Sequence, residues 1–576
     1  MSINGVSFEE VLSVLGREGS FSKIIEDYEF RPEQTELSEK ITEALNEDKI
    51  LLAEAGTGVG KTMAYLIPGI KYALTHGPVI ISTNTINLQS QLMDKDIPDA
   101  AKAMPEEEFR TAVAKGRGNY VCLSMVDDAH NNLILSSDPS FEKLKRWIRH
   151  TREGDYQDLG FPFPEWQEVA SNIHTCKKEE CPYKQTGTCF YYRMQQKLLS
   201  ADIIITNHAL FFSDLAAKSL DPYGGILPRE YSAVIFDEAH HIEDAAAKVF
   251  GEEFSSFSVP QIIRRLKNRQ DFSVDQSLLK EAGKLSEELF ENIKDNYSND
   301  YFLSEVYSGL GETTVKDYAA KIKSALVAVG DDLDRAKSSA EKDTKLAIDR
   351  YASMTDETVC AINEIFFAEN KDKNFTWGET RPGDRYSFCS LYSTPIDVAE
   401  ILQDSLFSLG LPIIMTSATL STSKKQDGFD YIRKRLGLPE DTETVSLDAP
   451  FDYMKNSLLY VPKDLPYPNS SPEYTEKITD YIKELIDYAE GNAFVLFTSR
   501  NMMINVYDRL CLNLKYQIIR QGEMSNEELI KQFRNTERSV LFGVSSFWEG
   551  IDVKGDRLKL VVIDKIPFPV PTSPTV

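Results

Sequence analysis

The chain contains 576 residues, of which 42% are hydrophobic and 27% are charged, and its formal net charge is −26. A chain of this length exceeds what one hydrophobic core supports, so we expect several packing units, some inserted within others. Its apolar runs fall far short of the roughly 18 residues that a membrane span needs, and its acidic balance argues against a protein that coats nucleic acid.

Acidic residues near the start of the chain predict its compartment. Glu9 and Glu10 stand where a secretory signal would carry a basic start and an unbroken apolar stretch. We therefore expect a cytoplasmic protein with no membrane partner, in which disulfides do not form.

Two groups of short apolar segments predict two parallel sheets. The segments of the first group are apolar on both faces, as buried parallel strands are, and they cover residues 49–55, 78–85, 201–207, 232–237 and 412–416. The segments of the second group cover residues 493–498, 516–520, 539–543 and 558–564.

Helices are expected between these strands. Leu37, Ile41 and Leu45 recur every four positions after Pro32, and Gly77 stands where a helix that begins after residue 60 would end. Alternating strands and helices of this kind predict an α/β fold.

Two stretches interrupt the first α/β unit, because a strand of that unit follows each of them. Residues 113–200 contain four of the seven cysteines and depart from the acidic balance of the chain. Residues 251–390 are charge-rich and are expected to be mostly helical, without strand–helix alternation. Both stretches are interpreted as insertions.

A phosphate-binding loop is predicted between the first strand and the following helix. Glycines let backbone N–H groups approach phosphates, and the helix N-terminus favours their negative charge. Lys61 would reach the β and γ phosphates of ATP, and the Thr62 hydroxyl would bind Mg²⁺. The predicted ATP-binding residues of the loop are Ala55, Gly56, Thr57, Gly58, Val59, Gly60, Lys61 and Thr62.

Four cysteines between this loop and residue 237 predict a metal centre. Their spacing is C-x53-C-x4-C-x7-C, and they are Cys122, Cys176, Cys181 and Cys189. Four thiolates bind either Zn²⁺ or an iron–sulfur cluster, and spacing alone does not choose between them. The paired C-x-x-C of common zinc ribbons is missing, which favours iron.

Two adjacent carboxylates follow a predicted strand and complete the predicted catalytic set with Lys61 and Thr62. Asp237 can hold Mg²⁺ through water, and Glu238 can accept a proton from the water that attacks the γ phosphate.

The motifs Asp-Glu-Ala-His at 237–240 and Met-Thr-Ser-Ala-Thr-Leu at 415–420, with a second α/β unit, resemble those of superfamily 2 helicases. In that superfamily two similar lobes grip ATP and a nucleic-acid strand. The segment at 28–34 looks like the adenine-reading element, in which Gln34 would pair with the adenine edge and Phe30 would stack on it.

Further motifs occur in the order found in the DinG/XPD-like (YoaA-type) helicases: Lys-Gly-Arg-Gly-Asn-Tyr-Val-Cys at 115–122, the later cysteines, Thr-Asn-His-Ala-Leu at 206–210 and Ser-Ser-Phe-Trp-Glu-Gly-Ile-Asp at 545–552. This resemblance implies a 4Fe-4S cluster on the four cysteines, a helical arch, and 5′ to 3′ movement on single-stranded DNA. The expected role is DNA repair, acting as a monomer on single-stranded and on forked or damaged duplex DNA.

The resemblance also implies a domain plan with two RecA-like P-loop lobes. Its parts are lobe 1 at 1–112, the iron–sulfur insertion at 113–200, lobe 1 with the Asp-Glu-Ala-His box at 201–250, the arch at 251–390, the end of lobe 1 at 391–445, and lobe 2 at 446–576.

A translocating strand needs backbone contacts from both lobes, because phosphates are present whatever the base sequence. Hydroxyls and amides grip phosphates without adding bulk charge, which suits an acidic chain. By resemblance, the DNA-contacting residues are Thr83, Asn84, Thr85, Thr498, Ser499, Arg500, Ser545 and Trp548.

The family continues past Pro571 into a helix with arginines that reach the γ phosphate, whereas this sequence stops at Val576. We therefore expect a truncated second lobe and weak hydrolysis by this chain alone. Only 60 residues precede Lys61, so we expect no exonuclease domain. Two alternatives stay open: an ATP-gated, cluster-containing DNA-binding or redox-sensing protein, and an RNA helicase.

Overall fold

The computed structural model describes residues 5–25, 28–130, 139–173, 176, 178–221, 224–267, 272–368, 372–381, 387–423, 428–467, 471–524, 526–544, 547–548, 551, 553 and 555–567. This part of the chain divides into two compact units. The first comprises residues 5–84 and 96–450, and the second comprises residues 85–95 and 451–567.

The strands alternate with helices through much of the chain, as the sequence predicts. The strands are β1 (Ile50–Ala55), β2 (Val79–Thr83), β3 (Thr111–Val113), β4 (Ile203–Asn207), β5 (Ala233–Asp237), β6 (Glu252–Ser255), β7 (Asn299–Phe302), β8 (Asn374–Arg381), β9 (Phe388–Pro395), β10 (Ile413–Ser417), β11 (Glu443–Leu447), β12 (Ala493–Leu496), β13 (Ile518–Arg520), β14 (Val540–Gly543) and β15 (Leu560–Ile563).

The α-helices of the described residues are Phe8–Leu15, Ser20–Ile24, Pro32–Asn46, Lys61–His76, Ile86–Gln91, Ile97–Ala103, Leu123–His130, Pro139–Ile148, Trp166–Val169, Pro182–Gln185, Phe190–Leu199, His208–Leu220, Ile242–Val249, Ser258–Leu266, Gln276–Asn296, Leu303–Leu310, Glu312–Ser339, Lys342–Phe367, Ala399–Ser405, Asp430–Leu436, Tyr453–Asn456, Pro472–Tyr488, Arg500–Leu510 and Asn526–Asn535.

The first unit is built on a large sheet with the strand order β11-β1-β10-β5-β2-β4-β3. Neighbouring strands pair in parallel throughout this order. The segments that the sequence predicts for this sheet are confirmed as β1, β2, β4, β5 and β10. They form nearly continuous buried runs, such as Ala233–Asp237, because helices pack against the sheet.

The sequence analysis missed the two edge strands of the large sheet for identifiable reasons. Strand β3 is too short to show a pattern, and β11 exposes alternate residues at the edge, so neither forms an apolar run. Edge strands carry a weaker hydrophobic signal than central ones, because only part of their surface is buried.

An antiparallel sheet lies within the segment that the sequence analysis describes as mostly helical. Its strand order is β6-β9-β8-β7. One face packs on a core that it shares with the long helices Gln276–Asn296, Glu312–Ser339 and Lys342–Phe367, to which Phe254, Tyr301 and Leu391 contribute. Its strands are far apart in sequence, so the helical periodicity between them conceals the sheet.

The second unit contains a small parallel sheet with the order β13-β14-β12-β15. All of its strands lie inside the predicted segments, so the second α/β unit is confirmed. Helices Pro472–Tyr488 and Arg500–Leu510 bury apolar residues such as Ile482 and Val506 in its core. In the part of the chain described, no helix has both the length and the apolarity to cross a membrane.

Gly77 ends helix Lys61–His76, as predicted, and it adopts φ 108° and ψ −177°. This region of backbone space is nearly restricted to glycine. We expect Gly77→Ala to lower the free energy of unfolding by about 1–3 kcal/mol, since no atom lies within 4 Å of the added Cβ and backbone strain alone remains.

The matched control is Gly118→Ala, where the added Cβ also meets nothing within 4 Å and φ is not positive. Thermal unfolding of both variants measures the difference. Equal midpoints for the two would contradict the strain argument.

Candidate functional site

The loop between β1 and helix Lys61–His76 has the backbone of a phosphate-binding loop. Gly58 and Gly60 adopt φ of 88° and 87°. A Cβ on Gly60 would lie 2.2 Å from Nε2 of Gln34, and a Cβ on Gly56 would lie 2.6 Å from the Ala449 backbone nitrogen. Close approach therefore favours glycine at Gly56 and Gly60, and the positive φ requires it at Gly58 and Gly60.

Gln34 supports this loop from the side. The residue is buried, and its Nε2 donates a hydrogen bond of 2.9 Å to the Gly60 carbonyl. Pairing of Gln34 with adenine stays a prediction, and so does stacking by Phe30, whose ring is covered by the Arg17 guanidinium at 5.3 Å.

The pairing of β1, β10 and β5 brings the separate motifs together. In register, Ala53 of β1 pairs with Thr416 of β10, and Thr416 pairs with Asp237 of β5. The carboxyl ends of parallel strands meet at one edge of a sheet. The phosphate-binding loop, residues 415–420 and the Asp237–Glu238 pair therefore share that edge.

Asp237 is held in a buried polar cluster. The Tyr65 hydroxyl donates to its Oδ2 at 3.1 Å, and the Glu238 backbone N–H donates to its Oδ1 at 3.0 Å. Burial raises the pKa of the Asp237 carboxyl and the nearby Glu238 carboxylate adds to this, whereas the Lys61 ammonium lowers it. Thr62 interacts with the same Tyr65 hydroxyl.

Lys61 and Glu238 face each other across the loop. The Lys61 Nζ lies 3.8 Å from Oε1 of Glu238, and both side chains are largely shielded from solvent. A cation and a carboxylate at this spacing are arranged to meet a bound phosphate and its attacking water. The predicted catalytic residues Lys61, Thr62, Asp237 and Glu238 are therefore brought to one place.

Glu238 adopts φ 54°, a left-handed conformation that is uncommon for a residue with a side chain. Its carboxylate is linked to β10, because the Ser417 hydroxyl lies 3.4 Å from Glu238 Oε2 and 2.7 Å from His240 Nδ1. His240 thus connects the Asp-Glu-Ala-His turn to the strand that carries residues 415–420. The sequence alone left its role open.

Glu54 is a site residue that the sequence analysis missed. It lies at the end of β1, and its Oε2 accepts 2.6 Å hydrogen bonds from the backbone N–H groups of Leu420 and Ser421. Its Oε1 accepts from the hydroxyls of Ser421 and Ser446. The sequence signal for this role is a single carboxylate inside an otherwise apolar strand. A buried carboxylate of this kind needs several hydrogen-bond donors from neighbouring segments.

The four cysteines of the predicted metal centre lie in one region, residues 122–189. Burial raises the pKa of Cys122 to about 11, and the Cys189 and Cys176 thiols add to the shift. Burial likewise raises the pKa of Cys189, with contributions from Cys181 and Cys176. The four thiols therefore influence one another electrostatically.

Backbone N–H groups next to Cys122 and Cys189 favour the thiolates, which are the forms that bind metals. Cys189 precedes helix Phe190–Leu199 directly, so its sulfur lies near the N–H groups of Tyr191 and Tyr192 in the first turn. Among the described residues, no group of three or more His, Cys, Asp and Glu side chains is already arranged to hold a metal ion.

The residues predicted to contact DNA have local partners where the structure describes them. Thr85 and Ser499 cap helices by accepting from the backbone N–H groups of Leu88 and Met502. The Thr498 N–H donates to Asp564 Oδ1 at 3.0 Å.

Thr83 is buried at the end of β2, Asn84 follows it, and Arg500 is exposed at the start of its helix. Trp548 packs partly buried against the core that contains Phe494 and Phe533. Ser545 lies outside the described residues. DNA contact by this set stays a prediction.

Family models match two parts of the chain: DEAD_2 at residues 165–259 and the helicase C-terminal domain at residues 482–576. The chain is 31% identical to the ATP-dependent DNA helicase YoaA of Escherichia coli over 97% of this chain and 85% of that protein. It is 30% identical to the ATP-dependent helicase DinG of Mycobacterium tuberculosis over 94% of this chain and 82% of that protein.

Among solved structures, an XPD helicase superposes with a TM-score of 0.51 at 17% identity, covering 94% of this chain and 86% of the other. At this identity the likeness is one of fold. It agrees with the α/β architecture and parallel sheets described above.

Glu54 provides a test of how the site is held. In Glu54→Gln the remaining oxygen can accept from the two N–H groups, while the new NH₂ donates to the Ser421 and Ser446 hydroxyls, so we expect a loss of stability under about 1 kcal/mol. Glu54→Ala leaves two shielded N–H groups without their acceptor, at a cost of about 1–3 kcal/mol each, and should lower ATP hydrolysis strongly.

Thermal unfolding and steady-state ATP hydrolysis of the two variants measure both effects. Similar losses in Gln and Ala variants would show that the charge of Glu54, and not its hydrogen bonds, holds the loop.

Proposed function

Because the chain belongs to the DinG and YoaA family of helicases, we propose that it couples ATP hydrolysis to 5′ to 3′ movement along single-stranded DNA and to duplex unwinding. The proposed setting is DNA repair, with a monomer acting on forked or damaged DNA. The observation that carries the proposal is the meeting of Lys61, Asp237 and Glu238 at one sheet edge.

Each of these groups has a distinct role in the proposed hydrolysis. Lys61 binds the β and γ phosphates and replaces its contact with Glu238 by one with the nucleotide. Thr62 and Asp237 would hold Mg²⁺. Glu238 accepts a proton from the attacking water, since its carboxylate is then released from Lys61.

A bound Mg²⁺ would also reduce the repulsion between the Asp237 and Glu238 carboxylates. Burial and the second carboxylate both raise the pKa of Asp237, so the ionised pair is unfavourable by itself. A bound Mg²⁺ would favour the ionised form of Asp237, and Glu238 would then act as the base.

For the DNA track we propose Thr83, Asn84 and Thr85 from the first lobe, and Thr498, Ser499, Arg500, Ser545 and Trp548 from the second lobe. The proposal places Thr85 in the first lobe by sequence, although the compact unit that contains it is the second. The Thr85 and Ser499 hydroxyls cap the N-termini of two helices, and helix N-termini are suitable phosphate ligands.

We further propose that residues 113–200 hold a 4Fe-4S cluster through Cys122, Cys176, Cys181 and Cys189, and that 251–390 form an arch. The donor set supports the cluster, because the Cys122 and Cys189 thiols each interact with two other cysteines of the set and with N–H groups that favour thiolates. When bound, the cluster would link the separate segments of the chain that carry Cys122, Cys181 and Cys189.

Strand displacement on a forked DNA duplex tests the proposed function. We expect release of the labelled strand with ATP from a fork with a 5′ tail and not from one with only a 3′ tail. Lys61→Ala removes the phosphate contact and should lower hydrolysis about 10²-fold or more, which abolishes strand release.

Gel shift of the fork without strand release by the wild-type chain would instead indicate an ATP-gated binding protein. Release from an RNA duplex alone would indicate an RNA helicase. Strand release by Lys61→Ala would contradict the assignment of the nucleotide site.

The cluster predicts a separate pair of variants. Cys181→Ser in protein purified without oxygen should lose iron and visible absorption and should lose unwinding, while nucleotide binding at the sheet edge persists. Cys360→Ser, at an exposed cysteine outside the region 122–189, is the matched control and should keep its iron. Zinc in place of iron in the wild-type protein would contradict the proposed cluster.

A further inference from the structure

His208 is a buried histidine for which the proposed mechanism has no role. It belongs to the motif at 206–210, follows β4 and begins helix His208–Leu220, which Asn207 caps through a bond from the Leu210 N–H. Only 1% of the His208 surface is exposed. A histidine inside an α/β core is costly unless its ring nitrogens have partners, so its surroundings are informative.

One ring nitrogen connects His208 to the strand that leads into the proposed DNA track. Its Nδ1 lies 2.7 Å from the Ser82 hydroxyl, and Ser82 is fully buried in β2. The next residues, Thr83 and Asn84, are proposed DNA contacts. If DNA binding displaces this strand end, the Ser82 hydroxyl moves with it and shifts the imidazole that it contacts.

The other side of the ring faces the catalytic turn. Its centroid lies 5.7 Å from that of Phe236, which precedes Asp237, and the backbone of Glu238 and Asp237 lies beside the ring and favours its protonation. Burial outweighs this and lowers the pKa of His208 to about 3, with His241 contributing, so the imidazole is neutral at physiological pH. A neutral ring has one donor and one acceptor.

The second ring nitrogen is the unusual feature. Nε2 of His208 is buried and, within the described part of the chain, forms no hydrogen bond of full geometry, although the backbone of Glu238 and Asp237 lies close enough to favour a proton on the ring. If Ser82 donates to Nδ1, the ring proton is on Nε2, directed to a turn in which Glu238 already has a strained left-handed φ. A small shift of that turn would provide the missing acceptor.

We propose that His208 is a positioning residue that couples the end of β2 to the Asp237–Glu238 turn, its Nε2 proton donating to a backbone carbonyl of the turn when DNA is bound. The inference rests on the proposed helicase function and deepens it. It assigns to His208 the step by which DNA accelerates ATP hydrolysis: DNA orders β2, Ser82 holds the ring, and the ring fixes the base Glu238.

The experiment measures kcat for ATP hydrolysis with and without saturating single-stranded DNA in the full chain. The variants are His208→Asn, whose amide replaces Nδ1 only, His208→Gln, whose amide replaces Nε2 only, Ser82→Ala, and the Ser82→Ala/His208→Gln double variant. Ser213→Ala is the matched control, because its exposed hydroxyl bonds only the Ala209 carbonyl on the same helix.

We expect the ratio of DNA-stimulated to basal kcat to fall about tenfold in each single variant, with no further fall in the double variant, because the two residues act in one chain of contacts. Ser213→Ala should keep the wild-type ratio. A merely structural role would lower both rates together and leave their ratio unchanged, which would overturn the proposal.

Wild-type protein without DNA stimulation would overturn the proposed function and this inference together. Wild-type stimulation that persists in the variants would overturn the inference alone. Thermal unfolding shows whether each variant is folded. If the His208 variants are unfolded, the kcat ratio of Ser82→Ala, which removes a single hydroxyl, tests the inference by itself.

Discussion

Parallel pairing of β1, β10 and β5 is the constraint on which the candidate site depends. Residues 50–55, 233–237 and 413–417 are far apart in sequence, and only their adjacent positions in the large sheet bring their carboxyl ends together. This pairing alone makes the phosphate-binding loop, the carboxylate pair and Ser417 neighbours in space. Because the strands are buried, a charge placed at their ends is shielded and interacts strongly with the next one.

That shielding explains why the polar groups at this edge are so extensively paired. Asp237 receives two hydrogen bonds and Glu54 receives four, and Lys61 faces Glu238. Each bond offsets the cost of holding a carboxylate away from water. Glu238 also contacts Ser417, which in turn contacts His240, so residues of the candidate nucleotide site are linked to the end of β10.

The sequence predicted the central strands, the helix Lys61–His76 and the meeting of Lys61 with Asp237 and Glu238, because each has a local pattern. It did not predict the antiparallel sheet, whose strands are separated by long helices, or the edge strands β3 and β11. Contacts such as Glu54 with Leu420, 366 residues away, depend on strand order, which no local pattern encodes.

In an acidic DNA helicase, carboxylates near the DNA would repel its phosphates. The geometry of the large sheet separates the carboxylates from the proposed DNA contacts. The carboxylates cluster where Mg²⁺ and Lys61 would offset them, at the ends of β1 and β5, while β2 ends in the neutral residues Ser82, Thr83 and Asn84. In our proposal, separate strands of one sheet therefore carry the nucleotide site and the first-lobe DNA contacts. His208 lies between them, in contact with Ser82 on one side and beside the Asp237–Glu238 backbone on the other. A rigid sheet with such a bridging side chain would allow the proposed DNA contacts at the uncharged end of β2 to be coupled to the carboxylates of the nucleotide site.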